Sequence, residues 1–266
     1  MDLGIENRAA LVTGADSGIG WHTAKQLLAE GTRVVITDID QDKLDAAATK
    51  LDAPIGMLHA FAADVTSIQS LAGLRENVSA SVGRLDILVH CAGVTGAQGA
   101  FHEITDDGWV STIQTDLLAP VRVIRTFLDD LRASGTGRLI LIASEDAVQP
   151  YPDELPYCAA KAGVLALAKG LSRSYAREGL LVNAVSPAFV RTPMTDAMMD
   201  KRAEQLGVDR DQAIESFLDT ERPFLELKRR GDPDEVAAVI VFLCSDRASF
   251  VNGSNYRVDG GSVATI

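Results

Sequence analysis

Tyr157 and Lys161 stand four residues apart, and Ser144 precedes the tyrosine by thirteen positions. On a helix that spacing puts two side chains on one face, so a phenol and an ammonium can share one small volume. The chemistry open to such a pair is proton transfer. An ordinary phenol has a pKa of about 10, and bringing it to about 7 takes roughly 4 kcal/mol of preference for the phenolate. One unit charge about 4 Å away supplies about 4 kcal/mol at an effective dielectric near 20, and at about 6 Å it supplies less than 3. Lys161 alone nearly suffices, and a second cation completes the shift. The tyrosine then gives or takes a proton near neutral pH. A tyrosine and lysine at this spacing also occur on solvated helix faces without any role, so the elements that position them have to decide.

Those elements read as alternating strands and helices. Arg8 to Thr13 is a short apolar strand, followed at once by Gly14-Ala15-Asp16-Ser17-Gly18-Ile19-Gly20 and a helix through Ala24, Leu27 and Leu28. Glycines let a backbone turn tightly against a ligand, and the free N–H groups at a helix start favour a pyrophosphate. The spacing is G-x-x-x-G-x-G, not the commoner G-x-G-x-x-G. Gly31 stops the helix, and a second strand, Arg33 to Thr37, ends at Asp38. That acid follows Gly20 by eighteen positions, where a dinucleotide fold places the carboxylate that grips the adenosine ribose. The order strand, turn, helix, strand, acid favours a cofactor site over a plain turn.

The rhythm continues. Asp40 begins a helix carrying Leu44, Ala47 and Leu51, Ile55 to Ala62 alternates as a strand toward Asp64-Val65, and Ser67 opens another helix. Leu85 to His90 is a strand that closes on Cys91-Ala92-Gly93, and His90 beside it reads as a hydrogen-bonded structural histidine. Thr105-Asp106-Asp107 starts a helix through Trp109, Ile113, Leu117 and Val121, which Pro120 is expected to kink. Ser144 sits just past the strand Arg138 to Ala143, at the sheet edge where open parallel sheets bind ligands. Leu180 to Ser186 is a strand ending at Pro187. The stretch 191–227 breaks the rhythm with two polar helical pieces carrying Met194, Met198, Met199, Phe217 and Phe224, and is a candidate substrate lid. A helix restarts at Asp232-Pro233-Asp234-Glu235, and Asn255 to Val258 is the last strand. The series predicts one α/β domain over 1–266, a Rossmann-type doubly wound parallel sheet of about seven strands with helices on both faces.

With 266 residues, 47% of them hydrophobic, the chain can bury a sizeable core. A formal charge of -12 and a pI near 4.7 argue against nucleic acid or an anionic membrane as partner. No apolar run approaches the roughly 20 residues of a spanning helix, and Met1-Asp2-Leu3-Gly4 does not begin a signal peptide, so a cytoplasmic protein is expected. Cys91, Cys158 and Cys244 are too far apart for a zinc site and odd in number, which suits reduced thiols and no metal.

Taken together, these motifs resemble those of the short-chain dehydrogenase/reductase family over essentially the whole chain. Thr13-Gly14-x-x-x-Gly18-Ile19-Gly20 is similar to the family's cofactor turn, Asp64-Val65 to its adenine contact, and Ser144, Tyr157 and Lys161 to its catalytic residues. Val190-Arg191-Thr192 resembles the segment that holds the nicotinamide carboxamide. The resemblance implies NAD(H)-dependent interconversion of a secondary alcohol and a ketone. Tyr157 would exchange the proton, Ser144 would hold the substrate oxygen, and Lys161 would bind the nicotinamide ribose. The positive ring of the oxidised cofactor is then the second cation. Asp16, Ser17, His90, Ala92, Gly93, Pro187 and Thr192 would complete the cofactor site. Asp38, with no cation near it in sequence, favours NAD over NADP. The resemblance also implies a homotetramer or homodimer.

There are departures from the family pattern. His90-Cys91-Ala92-Gly93 stands where the family usually has Asn-Asn-Ala-Gly, Ala188 follows Pro187 in place of glycine, and Asp116 occupies the place of the family's catalytic asparagine. Two other classes are compatible with parts of the sequence. A non-catalytic NAD-binding sensor or scaffold would show an eroded tyrosine or lysine, and neither is eroded. A serine hydrolase would need a G-x-S-x-G elbow and a histidine partner for Ser144, and both are missing. The substrate pocket falls to residues 94–103, 145–156 and the lid, whose methionines and phenylalanines suggest a partly apolar molecule.

Overall fold

Residues 2–265 are described by a computed structural model, and their strands form one sheet. The strands are β1 (Ala9–Thr13), β2 (Arg33–Thr37), β3 (Leu58–Ala60), β4 (Ile87–His90), β5 (Arg138–Ile142), β6 (Leu181–Pro187) and β7 (Asn255–Val258). Their order is β3-β2-β1-β4-β5-β6-β7, every neighbouring pair parallel. Successive side chains on a strand point to opposite faces. Leu11, Leu88 and Leu139 therefore meet one helical layer, α3 (Ile68–Val82), α5 (Ala119–Ala133) and α6 (Leu155–Tyr175). Val12, Val89 and Ile140 meet the other, α1 (Gly18–Ala29), α2 (Gln41–Leu51) and α9 (Pro233–Cys244). A parallel sheet needs both faces covered, and continuous apolar strands are the sequence trace of that need.

Local chemistry sets the helix starts. Asp40 accepts from the Lys43 N–H at 3.2 Å, Ser67 from Ser70 at 3.3 Å and Thr105 from Gly108 at 3.1 Å. At α9 the Glu235 carboxylate reaches back to the Asp232 N–H at 2.7 Å. These are the positions at which the sequence predicts helix starts.

Two elements differ from expectation. β3 is limited to Leu58–Ala60, because Pro54, Ile55 and Gly56 form a turn closed by the Met57 N–H on the Pro54 carbonyl, with Gly56 at φ +82° and Ile55 fully exposed. The helix expected to kink at Pro120 is helical throughout 106–133 but is not uniform there. The helix α4 (Asp106–Ile113) gives way to a π-helical turn, Gln114–Leu118, and Pro120 lies in the first turn of α5. Proline has no N–H to offer the Asp116 carbonyl four residues back, and the ladder widens just before it, with the Ala119 N–H bonding to the Gln114 carbonyl.

The stretch 191–227 folds into α7 (Pro193–Leu206) and α8 (Arg210–Thr220), which pack on each other. Met199, Phe217, Leu218 and Leu225 join Phe189 in a third, small core of their own. No helix among the described residues is long and apolar enough to cross a membrane.

Candidate active site

The chain leaves β1 toward β2 and β3 and returns to β4 on the other side of β1, so a crevice opens at the carboxyl ends between β1 and β4. A cavity of about 330 Å³ lies there, running from Asp38 after β2 to Met194 on α7. Gly14, Asp16, Ser17, Gly18, Ile19 and Gly20 line one end. Two of these glycines are structurally required. Gly14 has φ +64°, and a Cβ on it would sit 2.6 Å from the Ala92 nitrogen; a Cβ on Gly20 would sit 2.1 Å from the Gly14 carbonyl oxygen. The turn is thus compressed against the start of α1. Ser17 stands at the N-cap but gives its hydroxyl to Asp16 at 2.7 Å, so it makes no cap bond, and the first turn of α1 contains no acid. The N–H groups there are available to an anion. These residues fit the pyrophosphate of a dinucleotide.

Asp38 closes the same end of the cavity. One of its oxygens accepts the Ile39 N–H at 2.8 Å, and the Asp16 N–H approaches the other at only 3.5 Å. Burial raises its carboxyl above the usual range, and the charge of Asp16 adds to that. Ala92, Gly93, Pro187, Val190 and Thr192 line the cavity farther along. Asp64, Val65 and His90 do not. The Asp64 carboxylate accepts from the Thr66 N–H and hydroxyl at 2.8 and 2.7 Å, and Val65 packs against the core beneath α3. His90 is buried, with Nδ1 3.0 Å from the Thr13 hydroxyl and no partner on Nε2. Burial, helped by the charge of Lys161, lowers its pKa to about 3, so it is a neutral structural imidazole at neutral pH.

The other end of the cavity holds Ser144, Tyr157, Lys161 and Asp116. Ser144 follows β5, while Tyr157 and Lys161 lie on successive turns of α6. Lys161 Nζ donates to the Ile142 carbonyl at 3.2 Å, lies 3.6 Å from Asp116 Oδ1 and is 5.3 Å from the centre of the Tyr157 ring. The π-helical turn carries Asp116 into this group. Its Oδ1 accepts the Val94 N–H at 3.1 Å and its Oδ2 has no partner. Burial raises the Asp116 carboxyl, although Lys161 and the Val94 N–H pull it back.

The phenol is not poised as the spacing alone suggests. Burial pushes Tyr157 well above 10, the carboxylates Asp146 and Asp116 push it further, and Ser144 opposes them. Lys161 is shared with Asp116. A second positive charge is therefore needed to bring the phenolate toward neutral pH.

Sequence reasoning missed a charged group beyond Tyr157. Glu145 and Asp146 follow Ser144, Glu154 precedes α6, and Arg222 arrives from just past α8. Arg222 lies 3.3 Å from Glu145 and 3.4 Å from Glu154. No local pattern links these positions, since Arg222 and Glu154 are 68 residues apart. Cys91 also lines the main cavity, as do Val94 and Thr195 from two of the stretches expected to shape the substrate pocket.

A crevice with a pyrophosphate-binding turn at one end and a serine, tyrosine and lysine at the other defines a nicotinamide-dependent oxidoreductase. The sequence profile of a family described as enoyl-(acyl carrier protein) reductase matches residues 14–263. D-threitol dehydrogenase of Mycolicibacterium smegmatis is 32% identical over 98% of this chain and 94% of its own. An uncharacterized oxidoreductase of Bacillus subtilis, YvrD, is 33% identical over the whole of both. The crystal structure of L-sorbose reductase from Gluconobacter frateurii, complexed with NADPH and L-sorbose, superposes with a TM-score of 0.92 at 32% identity and full coverage of both chains. The chain belongs to the short-chain dehydrogenase/reductase family.

Proposed function

We propose that the protein is an NAD(H)-dependent oxidoreductase that interconverts a secondary alcohol and a ketone, with Tyr157 as general acid and base. The observation that carries this reading is the convergence of Ser144, Tyr157 and Lys161 with the glycine turn on one cavity. When bound, the nicotinamide ring accepts or returns a hydride and, oxidised, supplies the second cation that Tyr157 requires. In oxidation Tyr157 takes the alcohol proton, and in reduction it returns one. Ser144 positions the substrate oxygen. Lys161, held by the Ile142 carbonyl and Asp116, binds the ribose beside the ring. Ala92, Gly93, Pro187, Val190 and Thr192 hold the nicotinamide end, and Asp64 and Val65 the adenine end. His90 supports the floor from beneath. The excursion 191–227 acts as the lid, a reading favoured by Met194 and Thr195, which reach the cavity from α7. The protein works in the cytoplasm as a homotetramer or homodimer on a small substrate.

Asp38 supports NAD over NADP. Two ribose hydroxyls can donate to its carboxylate, whereas a 2′-phosphate would meet both Asp38 and Asp16. The L-sorbose reductase structure contains NADPH, as does that of actinorhodin polyketide ketoreductase, 30% identical with a TM-score of 0.89 over 97% of this chain and 98% of that one, so the preference rests on this chain's own acids. The test is kcat/KM for NAD⁺ and NADP⁺ with a panel of secondary alcohols. Equal or better use of NADP⁺ refutes the cofactor assignment, and cofactor binding without turnover of any alcohol points to the sensor or scaffold.

A further inference from the structure

Two neighbours compete for the one proton of the Ser144 hydroxyl. The first is Asp146, whose Oδ1 lies 3.1 Å from Ser144 Oγ, while its own N–H is donated back to that oxygen at 3.2 Å. An ionised carboxylate has no proton to give, so in the first contact the hydroxyl is the donor. The second neighbour is the Tyr157 phenol, which is within hydrogen-bond reach of the same hydroxyl. A phenolate only accepts, and so does the oxygen of a ketone. With its proton directed at Asp146, Ser144 presents lone pairs to both. Both residues are buried, where a hydrogen bond weighs more than it does in water.

The acidic wall beyond Tyr157 keeps Asp146 in the accepting state. Glu145, Asp146, Glu154 and Arg222 line a small cavity there, together with Phe189, Met194 and Met198. Arg222 pairs with Glu145 and Glu154 and, among the described residues, makes no ion pair with Asp146. Asp146 instead meets the Glu154 carboxyl. Two carboxyl groups in contact need a proton between them, and burial together with Asp146 raises Glu154 to about 8. At neutral pH Glu154 is therefore the donor of the pair and Asp146 the acceptor. Burial raises Asp146 as well, against the Glu154 proton, Arg222 and Ser144, while Glu145 adds to the rise. These groups, with the Tyr157 phenol from α6, are the ones that face Asp146.

We propose that Asp146 is a positioning residue for Ser144: its carboxylate turns the hydroxyl proton away from the phenol and the substrate oxygen, and a proton on Asp146 turns it back into the cavity. The inference rests on the reading of Ser144 and Tyr157 as the residues that hold and protonate the substrate oxygen. Asp146 then acts on the phenol by two routes, its charge and the donor it withholds. Only the second passes through Ser144.

The test separates the two routes. Tyr157 is titrated in the intact, NAD⁺-loaded protein by carbon-13 NMR of labelled tyrosine, its signal being the one lost in Tyr157→Phe. In Asp146→Asn the amide oxygen can take the Glu154 proton and the amide N–H can face Ser144, so the hydroxyl is free to donate to the phenolate and the phenol titrates lower. In the Ser144→Ala background the same substitution removes only the charge. The drop caused by Asp146→Asn is expected to be larger with Ser144 present by about one pH unit, the worth of one hydrogen bond to a charged group. Equal drops in the two backgrounds overturn the proposal, because charge alone then accounts for them, and an unmoved phenol overturns it too. Asp146→Ala, which also frees the hydroxyl, is read in the same way if the asparagine variant does not fold. In turnover, the rising limb of kcat/KM for 2-butanol at saturating NAD⁺ is expected to move down with the phenol, and a limb that stays in place overturns the link to the reaction. The titration needs no turnover, so it decides the proposal even where 2-butanol is not a substrate. Normal turnover in Tyr157→Phe ends the catalytic reading alone, and the titration still decides whether Asp146 directs Ser144.

Discussion

The two ends of the crevice are built by different physics. At the glycine turn the chain presents backbone: compressed glycines, N–H groups at the start of α1 and one carboxylate, Asp38, all within a short run of sequence. Beyond Tyr157 it presents buried ions drawn from distant segments, Glu145 and Glu154 from one loop and Arg222 from the end of the 191–227 excursion. Backbone recognition survives most side-chain exchanges, so the glycine end can stay constant while substrates diverge. A buried ion cluster is sensitive to each member, because removing one leaves another charge without its partner. On the proposed reading, the difference separates what holds the cofactor from what selects the substrate.

The largest expected effect falls where the two ends meet. Tyr157→Phe keeps the ring and removes the proposed proton carrier, so turnover should fall by about 10² or more while cofactor affinity, measured by calorimetry, changes little. Normal turnover would move the chemistry elsewhere and end the comparison.

Next comes the ion cluster itself. Arg222→Met leaves Glu145 and Glu154 buried without their counter-charge and should cost about 3 kcal/mol of stability, read from urea unfolding. The ionised carboxyls are the groups that lose their partner, so the loss should be greater at pH 8 than at pH 5. A loss independent of pH would mean that the stacking on Tyr151 and Phe217, not charge, is what Arg222 contributes.

A smaller effect is expected at Asp116. Its charge raises the Tyr157 phenol, so Asp116→Asn should move the rising limb of the oxidation pH profile to lower pH with turnover retained. An unmoved limb would show that Lys161 already cancels the carboxylate.

A further effect concerns stability against pH. Glu154 titrates at about 8 in the folded protein against an ordinary 4.5, so the folded state holds the extra proton between those values. Stability from this group is greatest below the ordinary pKa and declines as pH rises through that window. Glu154→Gln removes the titration and should flatten the fall in Tm between pH 5 and pH 8. An unchanged slope would place the proton on another acid of the wall.

The same contrast explains what could be read from the sequence. The strands, the turn, Asp38 and the helix starts were legible because each depends on neighbours within a few residues. β3 was drawn too long because hydrophobic alternation continues into Ile55, which a turn then exposes. Pro120 announced a break but not that the preceding turn would absorb it by widening. The tyrosine and lysine were legible as a pair, yet the phenol came out too acidic, since burial, Asp146 and Asp116 all enter from segments that spacing does not connect. Arg222 was illegible for the same reason.

The widened turn at Gln114–Leu118 makes chain length a specification in its own right. Before it, Thr112 is buried and its hydroxyl accepts the Ala97 N–H at 3.0 Å; after it, Val123, Phe127 and Leu131 face the core. One residue of α-helix is about 100° of rotation. Losing a residue between Thr112 and Val123 would set those two anchors out of phase by that angle, so either Asp116 would leave Lys161 or the apolar stripe of α5 would leave the sheet. Identity can drift at the outward positions of this stretch, but its count of residues cannot.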